Sequence, residues 1–349
     1  MKEVVSVISS LILTASLLVG CGASSTPAAT TAPAPAATAA AETQAPETQA
    51  PAASYSVAIV QQLPHSSLDE IRTAVAAELK AKADAAGVEI TISEYNGQND
   101  PTMLGQIGAQ VMGDSVDMII PIATLAAQCM VTAADGTDIP IVYAAISDPE
   151  AAGLTGLDNV TGTSDALNTA FILDMMLAAY PDIKTVGLLY SNSEANSTTP
   201  IAEAKAYLKE KQIDFVEKTG NTSGEIVEAA ASMVGRVDAV FTPTDNVVMA
   251  AEVTVAETLN EAGIPHYTGA DSFVAAGAFA TCGVNYTDLG TYTANMAIQC
   301  LESGEIPEYH VMEGGIITVN TETAAALSID YSAFNDLGAT VSEVVTTEE

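Results

Sequence analysis

Polar loops, most of them with a single carboxylate, follow six apolar runs in this sequence, and each run has the length of a buried strand. The six loops are residues 61–67, 122–128, 145–149, 190–197, 242–246 and 269–273. Helical patterns begin directly after them, so free backbone N–H groups would suit a carboxylate or a phosphate. Their aspartates would suit an ammonium group. The loops therefore predict a binding site for a small charged molecule.

The candidate ligand contacts are the polar residues of these loops and one residue at a helix start. They are Gln61, His65, Thr124, Ala126, Asp148, Ser193, Asn196, Asp245, Asn246, Asp271 and Ser272. Helix capping alone would explain Thr124, Ser193, Asp245 or Ser272 taken singly, because each stands where an N-cap is expected. Capping does not explain six such loops at one edge of two sheets.

Other side chains near these loops also have two interpretations. His65 is either a ligand contact or a packed loop histidine. The aromatic rings of Tyr143, Tyr190 and Phe273 either wall an apolar pocket or cover the ends of the strands. The residues alone leave both alternatives open.

The elements that must position these loops occur twice. Residues 116–124 return in similar form as residues 237–245, each after a helical stretch. Strands alternate with helices in both halves, which predicts parallel sheets. Asp100 and Pro101 predict the cap and first residue of one helix, and Gly87 the end of another. Two such halves would face each other across a cleft lined by the carboxyl ends of their strands.

The N-terminal region predicts export and anchoring. Residues 1–20 contain a basic start and an apolar run and precede Cys21, the pattern of a lipoprotein signal peptide with Cys21 as the lipidated residue. A short transmembrane helix is the alternative. Residues 21–54 are rich in Ala, Thr and Pro, which predicts a disordered tether.

Charge and cysteine content exclude several function classes. The formal net charge is −34, with 10 basic and 44 acidic residues, and no basic cluster exists to contact nucleic acid. Besides Cys21 there are Cys129, Cys282 and Cys300, whose spacing predicts neither a disulfide framework nor a metal site. These three are interpreted as small buried hydrophobes. We expect no metal, no cofactor and no catalytic residues.

Several motifs together resemble the substrate-binding lipoproteins of a family of ABC importers. They are Ile122-Ala-Thr124, Asp148-Pro149, Asn159-Val-Thr-Gly162, Ser193-Glu-Ala-Asn-Ser197, Pro243-Thr-Asp-Asn246 and Gly283 with Tyr286. The resemblance covers nearly all of residues 55–329. It implies an α/β fold of two Rossmann-like lobes with parallel sheets joined by a three-segment hinge, the type I periplasmic binding protein fold. The sequence departs from the family at two positions. Leu125 stands where members often have Pro, and Phe273 stands where they commonly have Met.

On this pattern the lobes are discontinuous in sequence. The N-terminal lobe would hold residues 55–164 and 284–309. The C-terminal lobe would hold residues 165–283 and 310–329. Residues 330–349 are predicted to form an acidic C-terminal tail.

The resemblance implies a monomeric, membrane-anchored, extracytoplasmic receptor that delivers a small solute to ABC permease subunits. Some members bind tryptophan, tyrosine or phenylalanine, so an aromatic α-amino acid is expected. Its carboxylate would meet Thr124, Ser193, Asn196 and the helices starting near 125 and 195. Its ammonium would meet Asp245, supported by Asp271 or Asp148.

Two other functions stay open at this point. A sensor or adhesive surface protein could use the same fold, with a sensor signalling to a membrane receptor. An enzyme is disfavoured because no phosphate-binding, zinc-protease or nucleophile-elbow motif occurs.

Overall fold

The computed structural model describes residues 54–347, which alternate strands and helices. The signal peptide, Cys21 and all of the predicted tether except Ser54 lie outside the described residues, and Ser54 itself begins the first strand. Within residues 54–347, no helix combines the length and the apolar character needed to cross a membrane.

The first part of the chain contains five strands and three helices. They are β1 (Ser54–Gln61), α1 (Ser66–Ala86), β2 (Glu89–Asn96), α2 (Pro101–Gly113), β3 (Met118–Ile122), α3 (Thr124–Ala133), β4 (Ile141–Tyr143) and β5 (Val160–Ser164). The predicted boundary signals are confirmed here. Asp100 caps α2 with Pro101 as its first residue, and Gly87 ends α1 at φ +66°.

The middle part of the chain repeats this alternation. It contains α4 (Thr169–Ala179), β6 (Thr185–Tyr190), α5 (Thr198–Glu210), β7 (Asp214–Thr219), α6 (Ser223–Ala231), β8 (Ala239–Thr242), α7 (Asn246–Met249), α8 (Glu252–Glu261), β9 (His266–Thr268), α9 (Asp271–Ala275) and β10 (Ala280–Gly283).

The last part of the chain contributes strands to both sheets. It contains α10 (Tyr286–Ser303), β11 (His310–Val311), β12 (Ile316–Asn320), α11 (Thr321–Leu327) and β13 (Thr340–Val344). Short 3-10 helices occupy Ala195–Ser197 and Ser332–Asp336.

These elements form two sheets with helices on both faces. One sheet has the order β11-β5-β4-β3-β1-β2, and the other has the order β13-β12-β10-β9-β8-β6-β7. All neighbouring strands are parallel except β10 and β12. Residues Val57–Val60 of β1 are fully buried, because helices cover both faces of a parallel sheet and a continuous apolar run fits there.

The described chain crosses between the sheets three times, after β5, after β10 and after β11. Two boundaries differ from the predicted lobes. Residues 310–311 form β11, which pairs with β5 of the first sheet.

The segment predicted as an acidic tail is instead part of the second sheet over residues 340–344, where β13 pairs with β12. Phe334 is fully buried, with its ring centroid 6.1 Å from that of Phe279. The apolar residues spaced through this acidic segment, including Phe334 and Val341, explain the difference, because they complete the core of the second lobe.

Cys282 and Cys300 are buried, as interpreted, whereas Cys129 is only half-buried; all three are free thiols.

Helices α1 and α10 pack closely although they lie far apart in sequence. A Cβ atom built on Gly290 of α10 would stand 2.7 Å from Ala74 Cβ and 2.8 Å from the Ile71 carbonyl oxygen. The contact is too tight for any side chain. Gly290 therefore sets the distance between these two helices.

We expect Gly290→Ala to destabilise the protein by about 1–3 kcal/mol, because the added methyl overpacks the interface between α1 and α10. The matched control is Gly105→Ala in α2, where a Cβ meets nothing within 4 Å. That variant should be neutral or slightly stabilising, by up to roughly 1 kcal/mol, since Ala favours helix. Urea unfolding measures both, and equal effects would contradict the packing assignment.

Candidate ligand-binding cleft

The carboxyl ends of the two sheets face each other across a cleft between the lobes. Their loops make direct contacts in this structure. The cross-lobe hydrogen bonds include Gln62 Nε2 to Glu194 Oε1 at 2.8 Å, Thr199 Oγ1 to Asp148 Oδ2 at 2.7 Å, Ser147 Oγ with Thr244 Oγ1 at 3.0 Å, His65 Nε2 with Asn246 Oδ1 at 3.1 Å, and Ser67 with Ser272. The lobes are therefore closed on one another.

A small cavity lies inside this closed cleft. Its volume is about 20 Å³, enough for one water molecule. Its walls are Leu68, Met249, Phe273 and Tyr286 on the apolar side, with His65, Ser67, Thr124, Ser147, Asp165, Asn196, Thr244, Asp245 and Asn246 among the polar residues. A ligand as large as an amino acid requires the lobes to move apart from this position.

The N-terminus of α3 opens onto the cavity. The first intrahelical bond runs from the Ala127 N–H to the Ala123 carbonyl at 3.0 Å, so the N–H groups of Thr124, Leu125 and Ala126 have no partner within the helix. Gln62 Oε1 accepts from the Leu125 N–H at 3.0 Å. The N–H groups beside it provide a site for a carboxylate.

The backbone is strained at two positions on the cavity wall. Ala123 has φ +74° and Ala145 has φ +56°, a region that residues other than glycine rarely adopt. Such strain persists where the surrounding structure imposes it, and it clusters at functional sites. Its position here agrees with a ligand site at this cavity.

Gln62, not the predicted Gln61, reaches the opposite lobe. Gln61 Nε2 donates to the Leu63 carbonyl at 2.8 Å and to Asp69 at 3.1 Å, all within the first lobe. Successive side chains along a strand point to opposite faces, so neighbouring residues cannot share one role. A ligand contact at Gln61 stays a prediction, and the side chain that crosses the cleft here is Gln62.

Glu194 is a buried carboxylate that the sequence prediction missed. It is 4% exposed and accepts from Gln62 and, at 2.6 Å, from Asn246 Nδ2. Burial, together with the negative charge of Asp245, raises its pKa to about 7. None of the ion pairs within residues 54–347 includes Glu194.

Asp245, the predicted ammonium partner, is already saturated with hydrogen bonds. Its Oδ1 accepts from the N–H groups of Val247 at 3.1 Å and Val248 at 3.0 Å, which makes it the N-cap of α7. Its Oδ2 accepts from the Ser191 N–H and from Ser197 Oγ, both at 2.7 Å. A carboxylate offers about four acceptor positions, so none is left for a ligand.

Two further acceptors beside Glu194 lack partners. Asn246 Nδ2 donates to Glu194, so Asn246 Oδ1 accepts from His65 Nε2. This tautomer leaves His65 Nδ1 as an acceptor, buried and without a hydrogen bond. Burial lowers the pKa of His65 to about 4, so the ring is neutral at pH 7. Asn196 Oδ1 is also buried without a partner, while its Nδ2 donates to the Thr244 carbonyl.

The floor of the cleft is a chain of hydrogen bonds beside the hinge. Asp165, directly after β5, accepts from Ser147 Oγ and from the Tyr286 hydroxyl, each at 3.0 Å. Ser147 continues to Thr244 in the second lobe. Burial raises the pKa of Asp165. These hydrogen bonds connect the chain segments that cross between the sheets after β5 and after β10 to both lobes.

The remaining predicted residues lie outside the cavity. Asp148 bridges the lobes through Thr199, and Ser193 is exposed and bonds Ser191. Ala126 is buried in the core of the first lobe. Ser272 lies at a cross-lobe contact with Ser67, next to Asp271.

Asp271 faces a neighbouring cavity that it shares with Glu70. Burial, together with the charge of Glu70, raises the pKa of Asp271 to about 6.

Five predicted residues do line the cavity, namely His65, Thr124, Asn196, Asp245 and Asn246. Of the three candidate aromatic residues, only Phe273 is there; the Tyr190 hydroxyl donates to Glu217, and Tyr143 lines a different cavity. Glu194 could have been suspected as the one acid within the motif of residues 193–197.

We expect Asp245→Ala to destabilise the protein by roughly 2–4 kcal/mol, because it removes the cap of α7 and leaves buried donors unpaired. The matched control is Asp100→Ala, which removes the exposed cap of α2 and should cost less. Thermal and urea unfolding compare the two variants. A stable Asp245→Ala protein with lost ligand affinity would instead assign Asp245 to the ligand.

Comparison with known proteins identifies relatives over nearly the whole described chain. The family model for ABC transporter substrate binding proteins matches residues 56–348. A tyrosine-binding protein of Clostridioides difficile strain R20291 is 34% identical over 282 residues, which are 78% of this chain and 81% of that protein.

Solved structures show the same relationship. The ABC domain from Streptococcus pneumonia in complex with L-Trp is 28% identical, with a TM-score of 0.76 over 83% of this chain and 100% of that one. The ligand-free, open structure of a substrate-binding protein with adhesive properties from Clostridium difficile is 31% identical, with a TM-score of 0.63 over 84% and 100% of the two chains. By TM-score, this chain is more similar in structure to the L-Trp complex than to the ligand-free, open protein. It belongs to the family of ABC transporter substrate-binding proteins and has their type I periplasmic binding protein fold.

Proposed function

We propose that this protein is the lipid-anchored receptor of an ABC importer, that it captures an aromatic α-amino acid between its lobes, and that it delivers this ligand to a permease. Family membership supports binding rather than catalysis as the activity. The named ligands of the relatives, tyrosine and L-Trp, support an aromatic amino acid.

The observation that carries the proposal is the position of the Gln62 amide. Its oxygen accepts from the N–H of Leu125 at the start of α3, and its nitrogen donates to Glu194. One small group thus joins a helix N-terminus to a buried carboxylate. An α-amino acid carries an acceptor and a donor with the same close spacing, a carboxylate and an ammonium on neighbouring carbons.

The carboxylate of the ligand would bind at the start of α3. The N–H groups of Thr124 and Ala126 have no partner within the helix, and the helix dipole favours an anion there. The Thr124 side chain lines the same cavity and adds a hydroxyl donor.

The ammonium of the ligand would bind Glu194, His65 Nδ1 and Asn196 Oδ1. These are three acceptors, and an ammonium group has three donors. The two unpaired buried atoms each carry an energetic penalty until a donor reaches them. The role given to Asp245 by the sequence passes to Glu194, while Asp245 holds α7 and the loop of Ser191 in position.

The side chain of the ligand would lie among Leu68, Met249, Phe273 and Tyr286, which line the same cavity. Phe273 and Tyr286 can stack with an aromatic ring. Opening of the lobes would admit the ligand, and contacts made only in the closed form would shift the population back to it.

The anchor and the permease follow from the family and from the N-terminal sequence. ABC substrate-binding proteins work outside the cytoplasm. Lipidation at Cys21 and a tether over residues 21–53 would keep a monomeric receptor near the membrane, where the permease would recognise its closed form.

We expect Glu194→Gln to weaken amino-acid binding by about 2–5 kcal/mol, because it removes the charged partner of a buried ammonium. In the wild type, affinity should be highest above pH 7, where Glu194 is ionised, and should fall by about tenfold per pH unit below its pKa of about 7. The variant should lose this dependence. Calorimetric titration with L-tyrosine and L-tryptophan between about pH 5 and pH 9 measures both effects.

Ser193→Ala is the control, because Ser193 is exposed and outside the cavity. The Ser193→Ala protein should bind the amino acid with the same affinity as the wild type. Mass spectrometry of the molecule released on denaturation identifies the natural ligand. If none of the twenty amino acids binds, the ligand assignment is wrong. An affinity that is unchanged in Glu194→Gln would refute only the proposed role of Glu194.

A further inference from the structure

Asp165 lies at the floor of the cleft and has a cavity on either side. It follows β5 directly, where the chain first crosses between the sheets, and it is 4% exposed. Together with Tyr286 it lines both the small cavity in the closed cleft and a second cavity of about 520 Å³, here called the hinge cavity. Because space lies on both sides, the Asp165 side chain can shift to meet a ligand.

The Asp165 carboxylate retains free acceptor capacity. Its Oδ1 accepts from Ser147 Oγ and its Oδ2 accepts from the Tyr286 hydroxyl, each at 3.0 Å. Its own backbone N–H is a third donor. A carboxylate offers about four acceptor positions, so at least one is left for a ligand. Asp245 differs in this respect, because four donors from the protein occupy its oxygens.

The surroundings of Asp165 favour a neutral donor carried on an apolar group. Leu68, Met249 and Phe273 line the same cavity in the cleft. Among the described residues, no Lys or Arg lines either cavity, and no ion pair includes Asp165. The proposed ligand has one ammonium, which Glu194 holds. The group that reaches Asp165 is therefore a part of the ligand side chain.

Tyr286 indicates how an aromatic side chain would meet this acceptor. Its ring lines the cavity, and its para hydroxyl donates to Asp165. A ligand ring stacked on Tyr286 in the same direction would place its own polar substituent beside that hydroxyl. One carboxylate can accept from both groups, since it has two oxygens.

We infer that Asp165 selects aromatic amino acids whose ring carries a hydrogen-bond donor. The phenol O–H of tyrosine or the indole N–H of tryptophan donates to the Asp165 carboxylate, whereas phenylalanine has no ring donor. The inference rests on the proposed function, because it requires an aromatic amino acid in the cleft. It narrows the ligand class and names the residue that discriminates within it.

Calorimetric titration of the wild-type protein at about pH 8, where Glu194 is ionised, tests this selection. L-Tyrosine should bind roughly ten- to hundredfold more tightly than L-phenylalanine, the effect of one hydrogen bond to a charged group. O-Methyl-L-tyrosine and 1-methyl-L-tryptophan keep the aromatic rings but have a methyl group in place of the donor hydrogen. Each should bind more weakly than its parent amino acid.

Asp165→Asn keeps the size of the side chain and one acceptor oxygen, so the variant should fold. It should reduce the preference for tyrosine over phenylalanine by about tenfold, because an amide oxygen is a weaker acceptor than a carboxylate. The matched control is Asp148→Asn, which changes a carboxylate that contacts the opposite lobe outside the cavity. This control should keep the wild-type preference.

Tyr286→Phe should change the preference in the opposite direction. It keeps the ring but removes one donor from Asp165, and the tyrosine hydroxyl of the ligand then fills the position that becomes free. The ratio of the two dissociation constants should therefore rise above that of the wild type. A purely structural role of Asp165 would weaken both ligands together and leave this ratio unchanged.

The outcomes separate this inference from the proposed function. Wild-type protein that binds phenylalanine as tightly as tyrosine would overturn the inference and leave the proposed function standing. Equal losses of affinity for both ligands in Asp165→Asn would also overturn it, and would assign Asp165 to the ammonium or to the structure of the hinge. If no amino acid binds the wild type, the proposed function fails and the inference fails with it.

Discussion

The closed cleft encloses three carboxylates, Asp165, Glu194 and Asp245, without a Lys or Arg partner among the residues the structure describes. Burying a carboxylate costs desolvation free energy, and the number of hydrogen bonds that offset this cost differs between these residues. Asp245 is satisfied by four donors from the protein, whereas Glu194 and Asp165 each receive only two from side chains. The neighbouring acceptors of His65 and Asn196 increase the same excess of negative potential. The cleft is thus complementary to a cation, and the rest of the site is arranged around this imbalance.

Closure is supported by polar contacts between the lobes and by a buried apolar cluster that includes Leu68 of the first lobe with Met249 and Phe273 of the second. The cross-lobe bonds run between single side chains on loops and in the first turns of helices, such as Asp148 with Thr199 and Ser147 with Thr244. Hydrogen bonds of this kind contribute little net free energy each, since water replaces them when the lobes open. A ligand with contacts in both lobes, made only when they are closed, shifts the balance toward the closed form.

The fold, with a cleft at the carboxyl ends of its strands, could be predicted from the sequence, but the contacts of individual residues could not. Apolar runs followed by polar loops, repeated in both halves, indicate parallel sheets with a cleft at their carboxyl ends, and the structure has this arrangement. Gln61 and Gln62 are indistinguishable by composition, and only the direction of β1 shows which one crosses the cleft. Asp245 suits both a cap and a ligand contact, and its four bonds become visible only in three dimensions. The last strand was missed because an acidic composition hid the spacing of Phe334 and Val341.

The order of elements along the chain also affects how the protein can fold during synthesis. The helix α10 packs against α1, yet 199 residues (87–285) separate them in sequence, and the first lobe is incomplete until α10 has emerged. The second lobe, in turn, waits for β12 and β13 at the end of the described chain. Neither lobe can complete its core early, because contacts so distant in sequence form late and slowly. The order of the elements thus delays completion of either core until almost all of residues 54–347 has been made.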